Sequence, residues 1–228
     1  MSIPKRIHMV LLHWNEVIPP LFTKCERCIR ETHPDWDVIL WDDTASVEFV
    51  EKYFPEYLRA YQSFPYDVQR TDFLRLAFVY VFGGFYMDLD MVPILPLDGL
   101  LGHSLVLSEE KTIDKAEQQK LSLKYRVRIA SYMFGGEAKH PFFRYVLDAM
   151  ALRSTIKVET QQEVLDVTGP GLLTDSYWET KKQFPDITLL RNAGHYCELP
   201  DGRIESCLFG KYAVHLHTGT WRRGLRIK

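Results

Sequence analysis

The sequence predicts an α/β protein with helices flanking one sheet that is parallel at first and mixed later. Three observations carry this. Strand and helix patterns alternate through the first ninety or so residues. A helical stretch over residues 66–82 is almost wholly apolar, so it is buried on most sides. Short β-rich pieces follow late in the chain. The composition, 46% hydrophobic and 25% charged over 228 residues, supplies a full core.

Residues 6–12 read as the first strand. A helix follows over residues 19–31, where Pro19 and Pro20 suit a first turn that needs no amide donors. Val38, Ile39 and Leu40 mark a second strand over residues 37–41, ended by Asp42-Asp43. Helical segments cover residues 45–52 and 55–61. The apolar helix of residues 66–82 stops at Gly83-Gly84, as a left-handed cap requires. The next strand alternates: Phe85, Met87, Leu89 and Met91 on one face, Tyr86, Asp88 and Asp90 on the other. Residues 105–107 form a short strand, and the charged stretch 109–124 is expected as a mobile surface insertion. A strand over 128–134, helices over 141–152 and 171–183, and strands over 187–190 and 211–217 complete the reading.

The net charge of −2 gives no global attraction to nucleic acid or anionic membrane. No signal-peptide pattern or bilayer-length apolar span appears, so a cytoplasmic protein is expected. Cys25 and Cys28 lie three apart in the first helix. A Cys-x-x-Cys pair can be half of a zinc site, but Cys197 and Cys207 lack the matching spacing, which leaves helical packing as the default.

The chemistry concentrates around Asp88-Leu89-Asp90. Residues two apart on a strand point the same way with Cα atoms about 6.5–7 Å apart. Two carboxylates held together attract a hard cation, Mn²⁺ or Mg²⁺, whose open positions suit phosphates. Asp72 and Arg75 lie three apart on the preceding helix, and buried helices keep charges when these are paired or functional. Arg70 adds a cation one turn away. His215 and His217 share a face of the last strand, just before Thr218-Gly219-Thr220-Trp221 and a basic tail of Arg222, Arg223, Arg226 and Lys228. An imidazole can serve as a third metal ligand, and the tail can close over an anion.

Arg70-Thr71-Asp72-Phe73-Leu74-Arg75 and Phe82-Gly83-Gly84-Phe85-Tyr86-Met87-Asp88-Leu89-Asp90 resemble the signature of the sugar-binding-region glycosyltransferases with a DXD motif. That group includes yeast α-1,6-mannosyltransferases, α-1,4-galactosyltransferases and capsular polysaccharide enzymes, and more distantly the clostridial glucosylating toxins. Ile3 to His8, Pro34-Asp35-Trp36, His140-Pro141-Phe142, Thr168-Gly169-Pro170 and Gly219-Thr220-Trp221 match in order.

The resemblance implies a single GT-A domain over 1–228. A Rossmann-like nucleotide-sugar half spans about 1–100, fused around one mixed sheet to an acceptor half over about 101–228. It implies retaining transfer of a hexose from a nucleotide sugar, UDP-linked by preference or GDP-linked, to a glycan, lipid-linked or protein hydroxyl. Asp88, Asp90 and His215 are then the metal ligands, and Asp72, Arg75, Asp88 and Asp90 the catalytic set. Leu11, Arg70, Asp72, Arg75, Tyr86, His217, Gly219, Thr220 and Trp221 contact the donor. Two positions depart from the family pattern: its early tryptophan is Leu11 here, with Trp14 nearby, and its asparagine before the middle strand is Ala130-Ser131. A haloacid-dehalogenase-type phosphatase with Asp88 as nucleophile is the rival enzyme class, and a non-catalytic nucleotide-sugar-binding relative is the rival without chemistry.

Overall fold

The structure, a computed structural model, describes residues 2–12, 18–120, 124–192, 197–198, 204–205 and 208–224. Strand β1 (Arg6–Val10) leads through helix α1 (Pro20–Thr32) to β2 (Asp37–Trp41), which pairs with β1 in parallel. Helix α2 (Asp43–Tyr53) starts two residues earlier than its apolar pattern implies, because the Asp42 side chain accepts from the Ala45 amide and caps it. A 3₁₀ turn (Pro55–Tyr57) and α3 (Leu58–Ser63) precede α4 (Asp67–Phe82), the apolar helix expected from the sequence.

Gly83 and Gly84 turn α4 directly into β3 (Gly84–Met87), with φ of 67° and 101°. A Cβ on Gly83 would stand 2.7 Å from Pro4, and one on Gly84 2.5 Å from the Arg6 carbonyl oxygen. Only glycine allows both the conformation and the approach.

The strand expected to run through Asp90 ends at Met87. Asp88, Leu89 and Asp90 form a turn, closed by the Met91 amide donating to the Asp88 carbonyl at 3.1 Å, and β4 (Met91–Pro93) belongs to a different sheet. The alternation of faces survives: Phe85, Met87, Leu89 and Met91 join one core cluster and Tyr86 the other.

Strand β5 (Leu105–Thr112) and helix α5 (Lys115–Lys120) occupy most of the stretch expected as a mobile insertion, so its first residues are sheet. The strand expected over 128–134 is broken into β6 (Val127–Ile129) and β7 (Met133–Gly136), both antiparallel along β5. Its middle carbonyls are diverted: Ser131 accepts from the Arg75 guanidinium and Tyr132 from the Asp88 amide.

Helix α6 (Pro141–Arg153) follows, then α7 (Gln161–Val167) and α8 (Pro170–Thr180). α7 was not expected, although its capping box of Thr160 and Glu163 is legible in the sequence. Strands β8 (Ile187–Leu190), β9 (Cys197–Glu198), β10 (Ile204–Glu205), β11 (Leu208–Phe209) and β12 (Ala213–His215) close the chain with a 3₁₀ turn (Thr220–Gly224). β12 is shorter than the strand expected over 211–217, since His217 takes a φ of 50° and leaves it.

Among the described residues these strands make a seven-stranded sheet, running β2-β1-β3-β7-β5 with β6 continuing the β7 edge and β8 parallel to β5. Helices α2, α3, α4, α6 and α8 cover one face around Phe73, Phe78 and Phe143. Helix α1 and the small β11-β12-β4 sheet cover the other around Phe85, Met91 and Phe209. Cys25 is buried on the packed face of α1 and Cys28 is half-buried. No helix among the described residues is long and apolar enough to cross a membrane.

Candidate active site

The carboxyl ends of β1, β3 and β5 open onto a cleft of about 610 Å³, where ligands of open α/β sheets usually bind. α4 delivers Asp72 and Arg75 to it from consecutive turns, both buried, with Arg75 Nη2 3.0 Å from Asp72 Oδ1. The Thr168 hydroxyl donates to Asp72 Oδ2 at 2.8 Å, and Arg75 Nη1 donates to the Ser131 carbonyl at 2.6 Å. The guanidinium carbon stands 4.9 Å from the centre of the Tyr86 ring, and Nη1 lies 3.9 Å from Asp88 Oδ1. Burial pushes the Asp72 carboxyl up to about 6 even though Arg75 and Thr168 pull it down. Arg75 Nε is buried with no hydrogen-bond partner among the described residues, leaving one donor unspent.

The turn after β3 gathers the other carboxylates. The Tyr86 hydroxyl donates to Asp88 Oδ1. β12 pairs with β4 so that His215 lies opposite Met91, which sets its ring beside the turn. His215 Nε2 is 3.0 Å from Asp90 Oδ1 and 3.9 Å from Asp88 Oδ2. The Thr218 amide and hydroxyl both donate to Asp90 Oδ2, at 2.9 and 2.7 Å.

Burial would raise the Asp90 carboxyl, but the His215 bond and charge and the two Thr218 donors outweigh it and hold Asp90 ionised well below the usual carboxylate range. Asp88 moves the other way: burial raises it more than Arg75 lowers it, with the Asp90 charge adding. His215 is raised too. Burial works against its charged form, but the Asp90 hydrogen bond and the charges of Asp90, Asp88 and Glu110 win. The paired carboxylates therefore favour a positive charge at His215.

One ligand atom each from Asp88, Asp90 and His215 lies within 4.8 Å of the other two, a set of hard oxygens and one imidazole. His215 Nδ1 is buried without a hydrogen-bond partner among the described residues, so Nε2, turned to both aspartates, is the engaged ring atom. These features fit a divalent cation.

Most of the residues singled out in the sequence meet here. Leu11, Asp72, Arg75, Tyr86, Asp88, Asp90, His215, His217, Gly219, Thr220 and Trp221 all border the cleft. Arg70 does not: its Nη1 is paired with Asp67 Oδ1 at 2.7 Å. Trp14, Arg226 and Lys228 lie outside the described residues. His215 and His217 stay neighbours, ring centres 4.0 Å apart, although only His215 is on the strand. Burial first, and His215 second, push the His217 imidazole down to about 4. Arg222 borders the cleft and covers the Trp221 ring at 4.9 Å.

Sequence reasoning missed the roles of Thr168, Thr218 and Ser131. Thr168 stands in the quoted Thr168-Gly169-Pro170 run, and a Cβ on Gly169 would come 3.4 Å from Asp72 Oδ2. Thr218 follows His217 directly, so its position was available as a clue. Ser131 acts through its carbonyl, which no side-chain motif reveals.

Residues 19–107 match the family described as the glycosyltransferase sugar-binding region containing a DXD motif. Inositol phosphoceramide mannosyltransferase 3 of Schizosaccharomyces pombe is 37% identical over 102 residues, 44% of this chain and 28% of that protein. Mannosyl phosphorylinositol ceramide synthase SUR1 of Saccharomyces cerevisiae is 25% identical over 182 residues, covering 80% and 43%. An uncharacterised glycosyltransferase of Acanthamoeba polyphaga mimivirus, L373, is 28% identical over 231 residues, covering 99% and 86%. The chain spans half or less of the length of the yeast relatives it matches. The glycosyltransferase PaToxG shares the fold with a TM-score of 0.59 at 17% identity, over 81% of this chain and 71% of that one. The ligand-free glycosyltransferase domain of the YGT toxin does so with 0.59 at 10%, over 82% and 80%.

Proposed function

We propose that this chain, which carries the sugar-binding region of the DXD glycosyltransferase family on a GT-A fold, is a metal-dependent retaining hexosyltransferase using a nucleotide-sugar donor. The observation that carries the reading is the convergence of Asp88, Asp90 and His215 with the buried Asp72–Arg75 pair in one cleft. Asp88, Asp90 and His215 would hold Mn²⁺, or Mg²⁺ with less benefit from the imidazole. When bound, the ion supplies electrostatic stabilisation of a leaving diphosphate.

The chain's own groups do the rest. Asp72 accepts from donor-sugar hydroxyls, and the unspent Nε of Arg75 donates to a sugar or phosphate oxygen. Leu11, with Leu12 and Phe22, forms an apolar wall at the β1 end for the base. His217, Gly219, Thr220 and Trp221, with Arg222, close on the diphosphate side. Residues 1–100 form the donor half and 101–228 the acceptor half in this reading. The names of the yeast relatives favour mannose as the sugar and a glycolipid head group as the acceptor, with glycan and protein hydroxyls as the other acceptor classes.

A phosphatase nucleophile at Asp88 fits less well, because that carboxylate accepts from Tyr86 and is pushed towards its neutral form by burial. A thermal-shift screen of UDP- and GDP-sugars with and without Mn²⁺ tests the proposal. A Mn²⁺-dependent rise with one donor is expected, together with loss of donor hydrolysis in Asp88→Ala and Asp90→Ala. Wild-type rates in both variants would sink it. Tight donor binding without turnover across an acceptor panel would point to the non-catalytic relative.

A further inference from the structure

The same cleft holds a second charged pair that the donor chemistry leaves unused. In β5 and β6 the register moves from Glu109 opposite Ile129 to Lys111 opposite Arg128, so Glu110 is the extra residue of a β-bulge. Bulges re-aim side chains and cluster beside active sites. On β6, Ile129 is buried in the helix-side core, and Arg128 points away from it towards the cleft. Glu110 Oε2 and Arg128 Nε meet at 2.7 Å, with side chains only 17% and 22% exposed. Neither side chain hydrogen-bonds the Asp72–Arg75 pair or the aspartate turn, yet both border the same cleft as those groups. An ion pair buried this far adds little stability over an apolar pair of the same size, so packing alone gives it no reason to face a cleft.

Its place in the sheet separates it from the base wall. β3 and β7 stand between β1 and β5, which puts Glu110 three strand spacings, about 14 Å, from β1. β6 runs past the end of β3, so Arg128 lies alongside the aspartate turn rather than behind it.

We infer that Glu110 and Arg128 form the acceptor site, holding the neighbouring hydroxyls of an uncharged polyol or sugar ring beside the metal ligands. This rests on the glycosyltransferase reading and names the acceptor chemistry within it. The pair offers an acceptor and a donor side by side, which matches two adjacent hydroxyls, one donating to the carboxylate and one accepting from the guanidinium. A phosphate on Arg128 would face the Glu110 carboxylate that already neutralises it, so the pair selects against an anion at this point.

The test uses the full chain with Mn²⁺ and the donor found by thermal shift. Nucleotide release is followed with a panel of methyl hexosides and myo-inositol as acceptor probes. Wild type is expected to release nucleotide faster with at least one of these. Glu110→Gln and Arg128→Met are expected to raise the KM for that probe about ten- to a hundred-fold, with the Kd for the donor within two-fold of wild type. The melting temperature of each variant checks for a purely structural role. A KM that rises only together with a lowered melting temperature and a weakened donor Kd overturns the proposal. So do an unchanged KM in the single variants, and a wild type that turns over donor but ignores every neutral polyol. A wild type that binds no nucleotide sugar is a failure of the glycosyltransferase reading itself.

Discussion

Removing Arg75 is the sharpest perturbation of the cleft. Asp72 is 3% exposed and has two partners, Arg75 Nη2 at 3.0 Å and Thr168 Oγ1 at 2.8 Å. Arg75→Met keeps the bulk of the side chain but strands that carboxylate, takes opposite charge from Asp88, and leaves the Ser131 carbonyl without its donor. Breaking one partner out of a buried ion pair costs about 3–5 kcal/mol, and the Ser131 bond is part of that loss rather than an addition to it.

The sign with pH follows from Asp72. Its pKa in the fold, about 6, already lies above that of an exposed aspartate, and losing Arg75 raises it further. A proton on Asp72 then favours the folded state. The penalty is full at pH 8 and is relieved by about 1.4 kcal/mol for each pH unit between the raised value and about 6, below which wild type gains the same stabilisation and the difference levels off. Urea denaturation of wild type, Arg75→Met, Asp72→Asn and the double variant at pH 8 and pH 5 measures this. The double variant is expected to recover about 2 kcal/mol of the Arg75→Met loss at pH 8. A loss below about 1 kcal/mol at pH 8, or an equal loss at both pH values without recovery in the double variant, refutes the account.

Three further outcomes follow from the same contacts. Asp90→Asn keeps an acceptor for Thr218 but removes the anionic ligand, so Mn²⁺ is expected to raise the melting temperature of wild type and leave this variant unmoved. His8 is held neutral: Trp41 Nε1 donates to its Nδ1 at 3.1 Å and its Nε2 donates to the Gly83 carbonyl at 3.0 Å, while burial pushes its pKa down to about 4. The unfolded chain takes up that proton first, so wild type is expected to lose about 3 kcal/mol more than His8→Leu between pH 7 and pH 4, read as a difference in unfolding free energy from urea denaturation at the two pH values. Gly84→Ala places a methyl 2.5 Å from the Arg6 carbonyl oxygen at a φ of 101°, and a loss of about 2 kcal/mol or more in unfolding free energy is expected, read from a lowered denaturant midpoint. An unchanged midpoint would contradict the reading of that turn.

What the sequence by itself determined is the local part of this protein. Strand and helix periods placed β1, α1, β2 and α4 within a few residues, because each rests on a side-chain pattern and a cap written into adjacent positions. Asp72 and Arg75 three apart on a buried helix, and the carboxylates of Asp88 and Asp90, were legible for the same reason, since buried or crowded charges demand partners wherever the chain goes.

The tertiary structure decided which partners. The aspartates share a site because a turn ends β3 after Met87, and the hydrogen bonds that make it, Asp88 to Tyr132 and Met91 to Asp88, reach partly across the sheet. The break at Ser131 exists because a guanidinium from α4 claims its carbonyl. Thr168 and Thr218 become partners of Asp72 and Asp90 across 96 and 128 positions of chain. Arg70, two residues before Asp72 on α4, pairs with Asp67 instead of entering the cleft. Side-chain pattern records which face an element buries, whereas register, bulges and backbone carbonyls depend on neighbours distant in sequence. The Glu110 bulge belongs to that second class, since its extra residue is defined only against β6.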